Sequence, residues 1–133
     1  MPVTIDIADL LLTKLQVVEQ NEKDVHDIVY LLAAFEVRDG DEAGTIGLAR
    51  IGEVIRDDWG WWRTVTGNLD RVVELIGGDL KRLVPAGSAF DPAEQASALR
   101  RFADDVPKTL RWKLRSRVGE RVQWYELPEE VGH

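Results

Sequence analysis

Residues 8–32, ADLLLTKLQVVEQNEKDVHDIVYLL, hold two runs of helical periodicity separated by a short polar corner. Ile7, Leu11, Leu15 and Val18 recur at three- and four-residue intervals, with Leu10 and Leu12 widening the stripe. Val25, Ile28, Val29, Leu32 and Phe35 repeat the pattern after the corner. Apolar side chains at that spacing fall on one face of an α-helix. Asp6 suits the N-cap of a first helix over 7–20, and Asn21 that of a second over 22–36. Glu22 and Asp24 then sit at the positive end of the second helix dipole. A connection this short makes the two helices antiparallel neighbours. The chain is committed at its start to a helical hairpin whose apolar seam needs a cover.

Helical patterns continue downstream. VRDGDEAGT (37–45) reads as a polar loop, and 46–56 as a third helix with Leu48, Ile51, Val54 and Ile55 inward. Gly47 and Gly52 weaken that helix by about 1 kcal/mol each relative to Ala. Asp57 or Asp58 caps a fourth helix over 59–76, with Trp62, Val65, Leu69, Val72, Val73 and Ile76 inside. Gly77-Gly78 ends or interrupts it, with a further turn reaching Val84. Asp91, Pro92 and Glu94 form a helix-start signature for a fifth helix ending near Asp104. Pro107 opens a last helix, 107–118, stopped near Gly119. RVQWYELPEE then predicts a short extended C-terminal arm packed on the helices. The expected fold is all-α: one domain over 1–133, a bundle of five or six helices beginning with the antiparallel hairpin.

A chain of 133 residues can bury a core without covalent staples. Cysteine is absent, which excludes disulfides and thiolate metal sites. The start, MPVTIDIADLLL, lacks the basic region of a signal peptide, and no apolar run approaches membrane-spanning length. A soluble cytoplasmic chain with no membrane partner is expected.

The net charge of −7 is unevenly spread. Residues 1–107 carry 20 acidic and 11 basic side chains, and residues 108–121 carry six basic and one acidic. In the basic segment Leu110, Leu114, Trp112 and Val118 are the expected packing side, while Lys108, Arg111, Arg115 and Arg117 project. Such a segment can dock on the acidic body of its own chain or of a sister subunit. Alternatively Lys108, Arg111, Lys113, Arg115, Arg117 and Arg121 can contact RNA phosphates. The acidity of the whole favours the first use, because it repels free nucleic acid.

The hairpin corner carries Lys14, Lys23, Asp24 and Asp27. Lys14 lies on the shoulder of the first stripe, where its four-carbon stem lets the ammonium reach the helix edge. Asp24 and Asp27, three residues apart, share one side of the second helix. Paired carboxylates can hold a metal or accept a proton. Asp24 at the third helical position can equally cap the helix, and Lys14 can pair with Asp24 or Asp27 across the hairpin. His26, with no cysteine and no second internal histidine, does not make a zinc site, so no metal ligands are read. Trp59, Trp61 and Trp62 cluster at the start of the fourth helix, with Trp62 inside and Trp61 at the rim.

Lys14-Leu15 followed by Lys23-Asp24-x-x-Asp27 resembles the helical half of AbiEii-like nucleotidyltransferases, which pair a "KL" helix with a basic-Asp-x-x-Asp helix. RWKLRSRVGERVQWYELPEE is similar to actinobacterial members of the same group. Lys14 stands closer to the aspartates than in the common pattern, and Asn21 lies near where an arginine is common. The resemblance implies NTP and Mg²⁺ as ligands, tRNA as acceptor and a toxin–antitoxin role. It implies phosphate contacts for Lys14 and Lys23, and makes Lys14, Asp24 and Asp27 the catalytic candidates. The metal-binding aspartate pair on strands has no counterpart: Gly87-Ser88 precedes a helix cap and Asp39-Gly40-Asp41 lies in a loop. The chain is therefore expected to be a helical, non-catalytic portion, without a cofactor of its own, whose N-terminal catalytic half is missing. In those enzymes the helices cover a sheet, so the hairpin seam is expected to be bare here and to drive homodimerisation. Two alternatives stand beside this: a small helical dimerisation or protein-interaction module, and an RNA-binding helical domain.

Overall fold

Asp6, Asn21, Asp58, Asp91 and Thr109 each accept a hydrogen bond from the first turn of a helix. That satisfies backbone N–H groups which no intrahelical carbonyl can reach. In the computed structural model, which describes residues 6–122, these caps open five of six α-helices. The order is α1 (Ile7–Leu15), α2 (Glu22–Ala34), β1 (Val37–Arg38), β2 (Ile46–Gly47), α3 (Leu48–Ile55), α4 (Trp59–Ile76), α5 (Pro92–Asp105) and α6 (Leu110–Val118). Single 3₁₀ turns follow at Lys81–Leu83 and Gly119–Arg121. The all-α bundle opened by a hairpin is as the sequence predicts. Most of the predicted C-terminal arm, from residue 123 on, lies outside the described residues.

Three boundaries differ from expectation. The first helix stops at Leu15 rather than near residue 20. Its freed carbonyls are captured from another helix: Asn68 Nδ2 donates to Leu15 O and Val17 O at 2.7 Å each. The third helix starts two residues late, because Ile46–Gly47 pairs in parallel with Val37–Arg38. Gly47 is required there, since a Cβ would sit 2.7 Å from the Gly40 carbonyl oxygen. The last helix begins at Leu110 rather than Pro107, because the Thr109 N–H donates to Arg56 O at 3.0 Å and the Thr109 hydroxyl becomes the cap.

Leu11, Leu15, Val25, Ile28, Val29 and Leu32 of the hairpin are fully buried. Ile55 of α3, Val65, Leu69 and Val72 of α4, and Ala96 and Leu99 of α5 join them in one core. α4 and α5 form the most extensive helix pair. The expected bare seam is therefore absent: α3, α4 and α5 take the place of a sheet. Burying each of those hairpin Leu, Ile and Val side chains is worth roughly 1.5–3 kcal/mol, which drives the closure.

Two buried amides lock this arrangement. Asn68 of α4 holds the end of α1 as described. Gln95 of α5 holds the end of α2, its Nε2 donating to Leu32 O at 2.7 Å and Phe35 O at 2.5 Å. Gln95 Oε1 also accepts the Val37 N–H at 2.8 Å, fixing the start of β1. A buried polar group left unpaired costs about 1–3 kcal/mol. Gln95→Leu strands three such groups and should lower unfolding free energy by about 3 kcal/mol in urea denaturation. Arg101→Gln, on the exposed side of the same helix, should stay within about 0.5 kcal/mol of wild type.

Candidate functional site

The hairpin corner is assembled by helix ends. Asn21 Oδ1 accepts the Asp24 N–H at 2.9 Å while Asp24 Oδ2 accepts the Asn21 N–H at 3.1 Å, a reciprocal capping box. Asp24 is thus committed to starting α2. One turn later Asp27 Oδ2 meets Lys14 Nζ at 3.1 Å, both side chains about a third exposed. Lys14 therefore spans the hairpin by the reading that pairs it with Asp27. Lys23 is exposed and makes no ion pair or side-chain hydrogen bond among the described residues, and His26 is exposed beside it.

The structure brings Lys14 and Asp27 together and sets Asp24 to a different task. The two carboxylates that the resemblance makes candidates do not converge. Among the described residues no three His, Cys, Asp or Glu side chains lie close enough to hold a metal ion. Mg²⁺, which the resemblance implies, is not fitted by these side chains.

The second candidate region is α6 and its basic side chains. Its inward side chains are not the expected leucines. Trp112 packs edge-on against Trp62, ring centroids 5.3 Å apart at 87°. The Arg115 guanidinium lies 4.9 Å over the Trp59 ring. Arg115 Nη1 and Nη2 donate to Gly119 O and Val122 O, at 2.8 Å each. Lys108 Nζ lies 5.2 Å over the Trp112 ring and donates to Val106 O at 2.8 Å. Partial burial pushes the Lys108 ammonium below its ordinary pKa, offset in part by Asp104 and Asp105. Arg111 reaches Asp57 only at 3.6 Å, and Arg63 of α4 pairs with Glu120 at 2.5 Å.

The outward side is the correction. Leu110, Leu114 and Val118, predicted to pack, are 71%, 52% and 39% exposed, and Val122 is 55% exposed. Leu110, Leu114 and Val118 recur every fourth residue and so form one stripe along the helix, which ends before Val122. Arg111 flanks the stripe on one side, Lys113 and Arg117 on the other. Lys113, Arg117 and Arg121 make no ion pair among the described residues, whereas Lys108 and Arg115 are spent on internal contacts. α6 has no buried residue at all. Flat aromatic and guanidinium groups hold it to the body, and its aliphatic edge is turned to solvent.

Sequence reasoning missed Asn68 and Gln95. Each was visible as a polar residue inside an apolar stripe, Asn68 between Val65 and Leu69 and Gln95 next to Ala96 and before Leu99. Comparison with protein-family models, curated proteins and solved structures finds no match to this chain. No helix of the described residues is long and apolar enough to cross a membrane.

A partly exposed ion pair contributes about 0–1 kcal/mol, and loss of a helix cap about 1 kcal/mol. Lys14→Ala should accordingly destabilise the fold less than Asp24→Ala in thermal and urea unfolding. The reverse order would show that Lys14 carries structural weight beyond this pair.

Proposed function

We propose that this chain is a helical protein-interaction module whose α6 outer face docks an apolar, acidic segment. The observation carrying this is the Leu110–Leu114–Val118 stripe, exposed along its length and bordered on both sides by basic side chains. The described bundle exposes few large apolar side chains: apart from Tyr30, they are Leu110, Leu114, Val118 and Val122. An aliphatic ridge with a cationic rim suits the helix-in-groove type of recognition, in which apolar anchors give affinity and flanking charges give register. Two copies pressing these faces together would oppose like charges, so a homodimer through α6 is disfavoured. RNA is a weaker occupant, because two of the six candidate cations are engaged internally and the chain carries −7 overall.

A synthetic amphipathic helix bearing leucines flanked by glutamates should bind the full chain in isothermal titration calorimetry. Leu114→Glu should weaken binding at least tenfold, equivalent to about 1.4 kcal/mol. A peptide with lysines in place of the glutamates should not bind. Binding of single-stranded RNA that weakens steeply with salt, without peptide binding, would favour the nucleic-acid alternative.

The AbiEii-like resemblance supplies a second reading, a non-catalytic helical portion of a nucleotidyltransferase-like protein. It rests on the Lys14-Leu15 and Lys23-Asp24-x-x-Asp27 motif, and the Lys14–Asp27 ion pair is the competing use of that lysine. It requires MgATP binding that Lys14→Ala abolishes. No binding at millimolar MgATP would remove it.

A further inference from the structure

Beside the α6 ridge of Leu110, Leu114 and Val118, the same chain carries a second surface of opposite charge. It is a cleft of about 410 Å³ where the end of α2 and β1 meet the start of α5. The Phe90 N–H donates to Ala33 O at 3.2 Å, which seats the connection before α5 against α2. Val37, Ala89, Phe90 and Ala98 line the cleft with apolar surface. Gln95 also lines it, but its amide is spent on Val37, Leu32 and Phe35.

Glu36, Asp91 and Glu94 are exposed at this cleft, and no Lys or Arg lines it. Asp91 caps α5 and Glu36 lies 3.2 Å from Arg38. Glu94 makes no ion pair or side-chain hydrogen bond among the described residues. An occupant must therefore bring apolar groups with positive charge beside them, because like charges brought together reject a partner. The α6 ridge has that composition, its leucines flanked by Lys113 and Arg117.

We infer that the α6 ridge of one copy docks in this cleft of a second copy. The inference rests on the reading of α6 as a docking face and names its partner. The cleft lies in the size range that accepts ligand-sized groups. Two α6 faces repel, whereas ridge and cleft attract. Because the two surfaces differ, the contact is heterologous, and copies add head to tail unless the rotation closes a ring. A nine-residue helix buries little area, so the contact belongs to the small, transient class of interfaces. Assembly then rises with concentration and falls with salt, which screens exposed charges.

Charge exchange in the full chain tests this. Lys113→Glu with Arg117→Glu reverses the ridge, and Glu36→Lys with Glu94→Lys reverses the cleft. All four positions are exposed, so folding is retained. In sedimentation velocity from micromolar to millimolar chain, wild type should self-associate. Each double variant alone should do so at least about tenfold more weakly. An equimolar mixture of the two variants should recover the wild-type association, because each reversed face then meets a reversed partner. Net charge does not explain recovery, since each variant shifts the −7 of the chain by four and both stay negative. A wild-type chain monomeric throughout, or a mixture no more associated than its parts, would overturn the second copy as partner.

The glutamate-flanked leucine peptide separates this from the wider reading. It should dissolve the wild-type assembly and bind the chain carrying Glu36→Lys and Glu94→Lys undiminished. Peptide binding to a wild-type chain that stays monomeric would refute the second copy and leave α6 as a docking face. Neither peptide binding nor self-association would sink both.

Discussion

Two carboxamides decide how this bundle closes. α1 and α2 both end against other helices, where carbonyls at their last turns are taken up by side chains. Asn68 reaches the end of α1 from α4, and Gln95 reaches the end of α2 from α5. Each amide spans two carbonyls with one NH₂ group, so its helix cannot slide along the hairpin without orphaning buried acceptors. Apolar packing alone is non-directional and would accept several registers. The amides select one. That is why α4 and α5 lie across the hairpin seam and why the connections after Leu15 and Ala34 turn where they do.

Once the seam is covered, α6 has no part in the core. It is attached at its N-terminal end by Thr109, which donates to Arg56 O and to Asp57 Oδ1 at 2.8 Å. Along its length it leans on Trp59 and Trp62 through Arg115 and Trp112. These are contacts between broad planar groups, which hold a helix without needing its aliphatic side chains. The leucines are left over. The functional reading follows from that division of labour, with the body closed by amides and aliphatics and the appendage held by stacking.

The sequence was most legible where caps and periodicity agreed. Asn21 with Asp24, Asp58 before Trp59, and Asp91-Pro92 each mark a helix start that the structure places at the same residue. Ends were less legible, because Leu15 is terminated by a side chain from a distant helix and no local signal announces it. Ile46–Gly47 looked helical because its neighbours are, and only its pairing with Val37–Arg38 makes it extended. For α6 Trp112 packs on the body as expected, while Leu110, Leu114 and Val118 face away from it. Spacing shows that Leu110, Leu114 and Val118 share a face; it carries no information on which face meets the body. Lys14 and Asp27 were legible as partners, while the capping role of Asp24 separates it from them.

Because α6 places none of its side chains in the core, the amino acids along its outer edge are under no obligation to the fold. Substitutions at Leu110, Lys113, Leu114, Arg117 and Val118 leave Trp112 and Arg115, the contacts that seat the helix, untouched. The edge can drift, be redesigned or be exchanged for another recognition sequence while the scaffold beneath keeps its stability. In most small helical domains the residues that recognise and the residues that hold the fold together compete for the same positions. Here the two alphabets are written on opposite sides of one helix, and evolution can edit either without rewriting the other.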